Sequence, residues 1–393
     1  MTVNDTLSGV KVIDLTSVVA GPLATQILAV MGAEVIKVER PPLGDDSRQL
    51  PPIIDGLGAV YRSYNRGKTS VMIDLQTSEG LEELYELLKT ADVLVESWRP
   101  GKLAKLGLSF EDLHLRFPRL TYCSLSAFGS GPLGRDLPGY DPVIQALSGI
   151  MYMTGLPNAE PSRVPVSVVD ISTGLWAAIA ILGGISRRNR LGVGDKYEVT
   201  LLDVGMALQT NQILNYLGTG VIPEPRGSSF EMAAPYEAFR SSDGWVMIAA
   251  GNQRIFERLC YALDSQDLID DTRFLTIATR VSNRSALHDY LEAATRQRSS
   301  AELEHLLVAA GVPASAINSL DAALRHPLVL ERGILKSSVQ GSFPVVRLPI
   351  EPLEPVPLSL ADDELNSHDP MMGKDPTPAE DTSVPSESGE SHL

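Results

Sequence analysis

The sequence predicts an α/β protein: an open parallel, Rossmann-like sheet in a large domain, with a smaller α+β domain after it. Short β-branched runs alternate with helical patterns over the first half of the chain, the pattern of β-α-β units that build a parallel sheet with right-handed crossovers. At 393 residues the chain is long for one domain. The cluster Pro223, Pro225 and Gly227 punctuates it where a second domain can begin.

Val10 to Leu15 reads as the first strand. The loop Thr16 to Gly21 leads to a helix opening at Pro22, a residue suited to a first helical turn. Val35 to Val38 is the second strand and Val71 to Leu75 the third. Thr77 to Thr90 is a helix, and Val93 to Glu96 and Leu120 to Leu125 are strands. Ile171 to Arg188 is a strongly apolar helix whose closing arginines suit its dipole. A strand over Tyr197 to Leu201 and a helix over Asp203 to Leu217 follow, then a strand over Trp245 to Ala250. Helical patterns dominate Arg254 to Arg325, and Pro344 to Pro352 reads as an extended return. The expected boundaries are a large α/β domain over 1–225, completed by about 329–364, and a small domain over 226–328. Residues 365–393, rich in Pro, Ser and acids, are expected to be disordered.

The charge excludes some functions. The net charge is −16, and from Ala361 to Leu393 nine acids face one base, Lys374. Half the net charge therefore sits in the last segment, and the body is mildly acidic. Such a chain lacks the clustered cations that nucleic-acid phosphates or an anionic membrane require. Cys123 and Cys260 have neither metal spacing nor a disulfide framework, so no metal is expected. No signal peptide is visible, and the apolar stretch Ile171 to Ile185 is short for a membrane span. A soluble protein of a reducing, cytoplasmic setting is expected.

A β-α-β start invites a dinucleotide reading, with Glu39 placed to bind a ribose. The Thr16 to Gly21 turn speaks against it, because it carries one glycine where a pyrophosphate fingerprint needs three. Arg40 stands at the carboxyl end of the second strand, the edge where open sheets bind ligands. Asn65-Arg66-Gly67-Lys68 pairs a turn with cations. Arg99, Lys102 and Lys105 follow the strand ending at Glu96. Each reads equally as an ordinary surface cation; together they suit a ligand with several phosphates. Asp170 precedes the apolar helix. It is either an N-cap or a carboxylate nucleophile kept ionised by the helix dipole. Tyr140 lies in the Gly- and Pro-rich stretch from Phe128 to Asp141, as a pocket edge or a turn aromatic. The isolated histidines His114, His288, His305 and His326 form no readable triad.

These residues together resemble the family III CoA-transferases of the CaiB/BaiF type, which include formyl-CoA transferase and the carnitine CoA-transferases, with the α-methylacyl-CoA racemases as relatives. The matching stretches are Leu7 to Leu15, Ala20 to Pro22, Gly32 to Arg40, Asn65 to Lys68, Ala91 to Glu96, Arg99 to Gly101, Gly139 to Gly149, Asp170 and Gly192 to Gly194. They continue with Ala234 to Tyr236, Asp243-Gly244, Gly311 to Pro313 and His326-Pro327. The resemblance covers about 7–360 and leaves out the tail.

It implies the family fold with an interlocked homodimer, and CoA transfer from an acyl-CoA to a carboxylic acid through an aspartyl-CoA thioester. Coenzyme A enters as substrate, with no prosthetic group. It implies Asp170 as the catalytic residue. Arg40, Asn65, Lys68, Arg99, Lys105 and Tyr140 match the coenzyme A surface. Val19 replaces the glutamine of formyl-CoA transferase, and Ala249 to Gln253 lacks that enzyme's glycine run; both argue against formyl transfer. Two alternatives stay open: a racemase, although Tyr140 occupies the place of its histidine, and a silent CoA-binding protein. Donor and acceptor acids are not named by the sequence. The terminal Ser391-His392-Leu393 is close to a peroxisomal address. Import of a fluorescent protein carrying the last twelve residues is the check, and a diffuse signal removes that destination.

Overall fold

The computed structural model describes residues 5–336 and 343–352. The acidic segment 365–393, its terminal tripeptide and residues 353–364 of the expected completion of the large domain lie outside the described residues.

Six parallel strands form the main sheet: β1 (Lys11–Leu15), β2 (Glu34–Glu39), β3 (Lys68–Met72), β4 (Val93–Glu96), β5 (Thr121–Ser126) and β6 (Lys196–Thr200). Their spatial order is β3-β2-β1-β4-β5-β6, every neighbouring pair parallel. The chain winds outward one way from β1 and then returns to start the other half at β4. The strand order therefore reverses between β1 and β4, and ligands of such sheets bind outside the carboxyl ends of the strands at that point.

The two sheet faces carry separate cores. One packs Val12, Val35, Val93, Val95 and Cys123 against α1 (Ala20–Val30) and the long helix α5 (Val168–Leu191). The other packs Ile13, Ile36, Leu94 and Tyr122 against α2 (Ser78–Leu88) and α3 (Phe110–Arg116). Full burial of side chains such as Leu28 or Leu94 contributes about 2 kcal/mol each. A further helix of this half, α4 (Asp141–Ser148), lies against α5.

Helix α5 has 24 residues and a mean hydropathy of 1.8 over its best window, long and apolar enough to cross a membrane. It differs from the expected Ile171 to Arg188 by three residues at each end. Its buried stripe Val169, Thr173, Ala177, Ala178, Ile181 and Ile185 faces the sheet. At its end the buried Arg188 pairs with Asp92 at 2.7 Å, so the helix serves as a core element here.

Helices α1 and α5 cross at Gly174. A Cβ there would stand 2.6 Å from the Ala20 carbonyl oxygen and 3.1 Å from Leu23 Cβ. Backbone cannot yield cheaply, so close approach outweighs the helix propensity gained by alanine, about 1 kcal/mol. Gly174→Ala is expected to lower the unfolding free energy, read from chemical denaturation, by about 1–3 kcal/mol. A more stable variant would show that the two helices separate freely.

A second core lies downstream. β7 (Tyr236–Arg240), β8 (Trp245–Ala249) and β9 (Ala314–Ala316) make an antiparallel sheet. It is packed by Phe239, Phe256, Leu259, Phe274, Leu287, Leu291 and Leu303. After it, Leu348 packs on the first core, and Arg66 donates to the Val346 carbonyl at 2.8 Å and to Glu351 at 3.1 Å. Two other expectations shift. The third strand starts at Lys68 rather than Val71. The helix expected over Asp203 to Leu217 is two helices, Leu201–Ala207 and Thr210–Thr219. Between them the buried Gln209 amide donates to the carbonyls of Ser148 and Gly205.

Candidate active site

A cavity of about 240 Å³ opens at the reversal point. Ser17 to Gly21 after β1, Ser97 to Pro100 after β4 and Leu125 to Gly129 after β5 form three of its walls. Gly139, Tyr140 and Asp170 close the fourth. Of the residues singled out from sequence, the fold brings Asp170, Arg99 and Tyr140 together here. No histidine lines it.

Asp170 is the third residue of α5, whose N-cap is Ser167. It is therefore not the cap, and the helix ends are not free to hold its charge. The buried Asp141 does the capping from the start of α4: its Oδ2 accepts from the backbone N–H of Val169 at 2.8 Å and of Asp170 at 3.2 Å. Its Oδ1 accepts from the Gln145 amide at 2.6 Å. The Gln145 carbonyl oxygen in turn accepts from Val164 N–H at 2.9 Å. One carboxylate thus locks the start of α5 and the segment before it. Burial, and secondly the Asp141 charge, push the Asp170 carboxyl up to about 7. The sequence suggested the reverse, a helix dipole keeping this group ionised. The difference arises first because burial strips the carboxylate of water, and secondly because the Asp141 charge already meets the helix's positive end.

The loop after β1 is pinned from behind. Gly21 is required there, since a Cβ would fall 2.3 Å from Thr16 Cβ. Val18 has φ +69°, a left-handed conformation that a β-branched residue adopts only under constraint. Val19, at the N-cap of α1, makes no side-chain cap bond, and the first turn of α1 holds no acid. The amino end of α1 therefore opens on the cavity with no side chain of its own capping it.

The other cations lie elsewhere. Lys68 is fully buried, and its ammonium donates to Asp14 at 3.0 Å, the Pro22 carbonyl at 2.9 Å and Asn65 Oδ1 at 2.8 Å. All three N–H bonds are used inside the protein, so neither Lys68 nor Asn65 faces the cavity. Burial pushes the Lys68 ammonium down to about 8 against the pull of Asp14. Arg40 and Lys105 are exposed and stand outside the cavity lining.

Glu39, the conceivable ribose ligand, is bound by Arg48, Tyr61 and Ser70 and by the Asp45 N–H. Burial opposes its ionisation, yet these bonds, Arg48 first, hold its carboxyl at about 2. The buried Cys123 and Cys260 thiols are both pushed up to about 12, chiefly by burial, which leaves neither as a ready nucleophile. Among the described residues no group of three His, Cys, Asp or Glu side chains is disposed to hold a metal.

Sequence reasoning missed Asp141 as a functional residue. Its only signal was Asp-Pro at a helix start, which reads as local capping; the helix it caps lies 28 residues on. It also missed Trp98, whose indole donates to the Leu15 carbonyl at 3.2 Å and whose N–H bonds Glu96 at 2.7 Å. The indole bond ties the loop after β4 to the end of β1.

Comparison with known proteins agrees with this architecture. The model of CoA-transferase family III matches residues 7–376. The succinate–glutarate CoA-transferase of Agrobacterium fabrum is 38% identical, over 88% of this chain and 88% of its own. The human succinyl-CoA:glutarate CoA-transferase is 37% identical, over 84% of this chain and 75% of its own. The crystal structure of a CaiB/BaiF family protein from Brucella suis superposes with a TM-score of 0.78 at 39% identity, covering 87% of this chain and 91% of that one.

Proposed function

We propose that this chain, which belongs to CoA-transferase family III and is a CoA-transferase, moves coenzyme A between small carboxylic acids through a thioester on Asp170. The observation that carries the site assignment is the cavity at the strand-order reversal, in which Asp170 is the carboxylate at the start of a fixed helix.

The chemistry needs only a carboxylate, a thiolate and an acceptor acid. An Asp170 oxygen attacks the thioester carbonyl; the C–S bond breaks and an aspartyl–acyl anhydride forms. The CoA thiolate attacks the aspartyl carbonyl, releasing the donor acid and leaving aspartyl-CoA. The acceptor carboxylate attacks that thioester and expels the thiolate, and a second anhydride forms. The thiolate attacks its acceptor carbonyl, completing the new acyl-CoA and freeing Asp170. No net proton is taken up. Each attack places charge on a carbonyl oxygen, and the backbone N–H groups at the uncapped end of α1 suit that charge.

A carboxyl held near 7 is a more basic nucleophile than an ordinary carboxylate, at the expense of being part-protonated at neutral pH. Transfer per free enzyme, kcat/KM, is expected to rise with pH through about 7. Proton abstraction α to a thioester is less well supported, because the cavity lining offers no histidine as a partner base.

The relatives named for succinate and glutarate favour a small dicarboxylic acid as acceptor. Succinyl-CoA incubated with glutarate, other dicarboxylates and monocarboxylates, with products read by mass spectrometry, tests this. Transfer to no dicarboxylate would sink it. The working unit is a homodimer: Leu175, Trp176 and Ile179 on α5 and Leu214 and Leu217 beyond it are exposed apolar side chains that a second copy would cover. A monomer by light scattering at micromolar concentration would overturn this part.

A further inference from the structure

Behind the loop after β1 lie four charges almost entirely out of water. Lys68 pairs with Asp14 at 3.0 Å and Lys37 with Asp45 at 2.9 Å, each side chain no more than 1% exposed. Replacing such pairs by apolar residues is often neutral or stabilising, so stability alone gives no reason for them to sit there. Their hydrogen bonds do. Asp14 Oδ1 accepts from Thr16 N–H at 2.9 Å and Thr16 Oγ1 at 2.6 Å. Its Oδ2 accepts from Thr25 Oγ1 at 2.7 Å. Lys37 donates to the Thr16 carbonyl at 2.7 Å. Asp45 accepts from Val18 N–H at 3.2 and 3.3 Å, and from Ser47 N–H and Oγ. Lys68 donates to the Pro22 carbonyl at 2.9 Å.

Every charge in the cluster therefore grips the backbone of the seven residues from Thr16 to Pro22. The opposite side of that segment, Ser17 to Gly21, is the cavity wall facing Asp170. Within it Val18 holds its left-handed φ of +69°, a state that persists only where the surroundings over-determine it. Asp14 on β1, Lys37 on β2, Lys68 on β3 and Asp45 beyond β2 come from four stretches of chain. The clamp thus ties the loop to three adjacent strands at once.

We propose that Asp14, Lys37, Asp45 and Lys68 act as a buried clamp that fixes the cavity loop 16–22 in its reactive shape, with Lys68 a positioning residue and not a contact to the CoA phosphates. This rests on the function proposed above for the consequence in turnover, and on the geometry alone for the clamp itself.

The test uses the full-length protein in three variants: Lys68→Met, the charge-balanced pair Lys68→Met with Asp14→Asn, and the pair Lys37→Met with Asp45→Asn. Hydrogen exchange of peptides spanning 16–22 is expected to accelerate in all three, with peptides of β5 and β6 unchanged. In transfer assays kcat is expected to fall about 100-fold, the cost of a loosened near-attack geometry, while KM for acyl-CoA stays within about threefold. Unchanged exchange at 16–22 overturns the proposal. So does a raised KM at constant kcat, which marks a phosphate contact. Charge-balanced pairs that fail to fold also overturn it, since the cluster is then a folding element. The exchange arm needs no turnover. A wild-type protein that transfers no CoA would therefore refute the proposed function while the clamp is judged by exchange.

Discussion

Asp170→Asn is expected to abolish transfer and to make the protein more stable. The amide keeps the size of the side chain, and the start of α5 is held by Asp141 rather than by Asp170, so the fold survives. An amide cannot attack a thioester at a useful rate. Loss of the covalent route is expected to cost at least about three orders of magnitude in kcat, on the order of 4 kcal/mol in barrier. Coenzyme A binding should persist. Wild type treated with acyl-CoA and then hydroxylamine should carry a hydroxamate at Asp170. Near-normal transfer by the variant would refute both the mechanism and the site.

The stability half follows from linkage. The Asp170 carboxyl is raised to about 7 in the fold and sits near 4 in an unfolded chain. Between those values the folded protein binds the extra proton, so its stability falls as pH rises toward 7. Above 7 the wild type carries the cost of an ionised, half-buried carboxylate beside Asp141. The asparagine variant carries none of it. Its advantage in melting temperature should be absent near pH 4, grow between 4 and 7, and then stay constant. An advantage independent of pH would show that Asp170 ionises as easily as a solvated carboxylate.

This conflict between stability and chemistry also explains what was legible in the sequence. Continuous apolar runs placed β1, β2, β4 and β5 nearly to the residue, because a strand buried on both faces has one physical requirement, and those residues state it. Signals that depend on a distant partner misled. The sequence places the start of α5 three residues late, at Ile171, because the acceptor that fixes its first turn, Asp141, belongs to another element. Lys68 read as an exposed turn cation suited to phosphate, because lysine almost never lies buried unless paired. Its partner Asp14 is 54 residues away, and the strand it opens was consequently placed three residues late. Asp170 stands out by its place before the apolar helix and takes its catalytic role from the resemblance; its raised pKa had no sequence signal, since it depends on burial and on which carboxylate lies against the helix.

Asp141 is where the second large effect is expected, and two substitutions separate its roles. Asp141→Ala removes the acceptor for Val169 N–H, Asp170 N–H and the Gln145 amide at once. Buried donors left unpaired cost about 1–3 kcal/mol each. Water entering the enlarged site recovers part of this, so a net destabilisation of about 3 kcal/mol in chemical denaturation is expected. The freed first turn of α5 carries Asp170 with it, and kcat should fall about 100-fold. Asp141→Asn behaves differently, because asparagine is as good a cap as aspartate. Its carbonyl oxygen can hold the helix N–H groups, while its NH2 meets the Gln145 amide donor to donor, so stability should fall by about 1–3 kcal/mol, less than in the alanine variant. What disappears is the negative charge that, after burial, raises the Asp170 carboxyl. The acid limb of kcat/KM should then move from about 7 to lower pH. At pH 5 the variant should outperform wild type, because more of its Asp170 is ionised. At pH 8 it should be slower, because a less basic carboxylate is a weaker nucleophile. A pH profile that Asp141→Asn leaves unmoved would mean that burial alone sets the Asp170 carboxyl, and that Asp141 is a cap and nothing more.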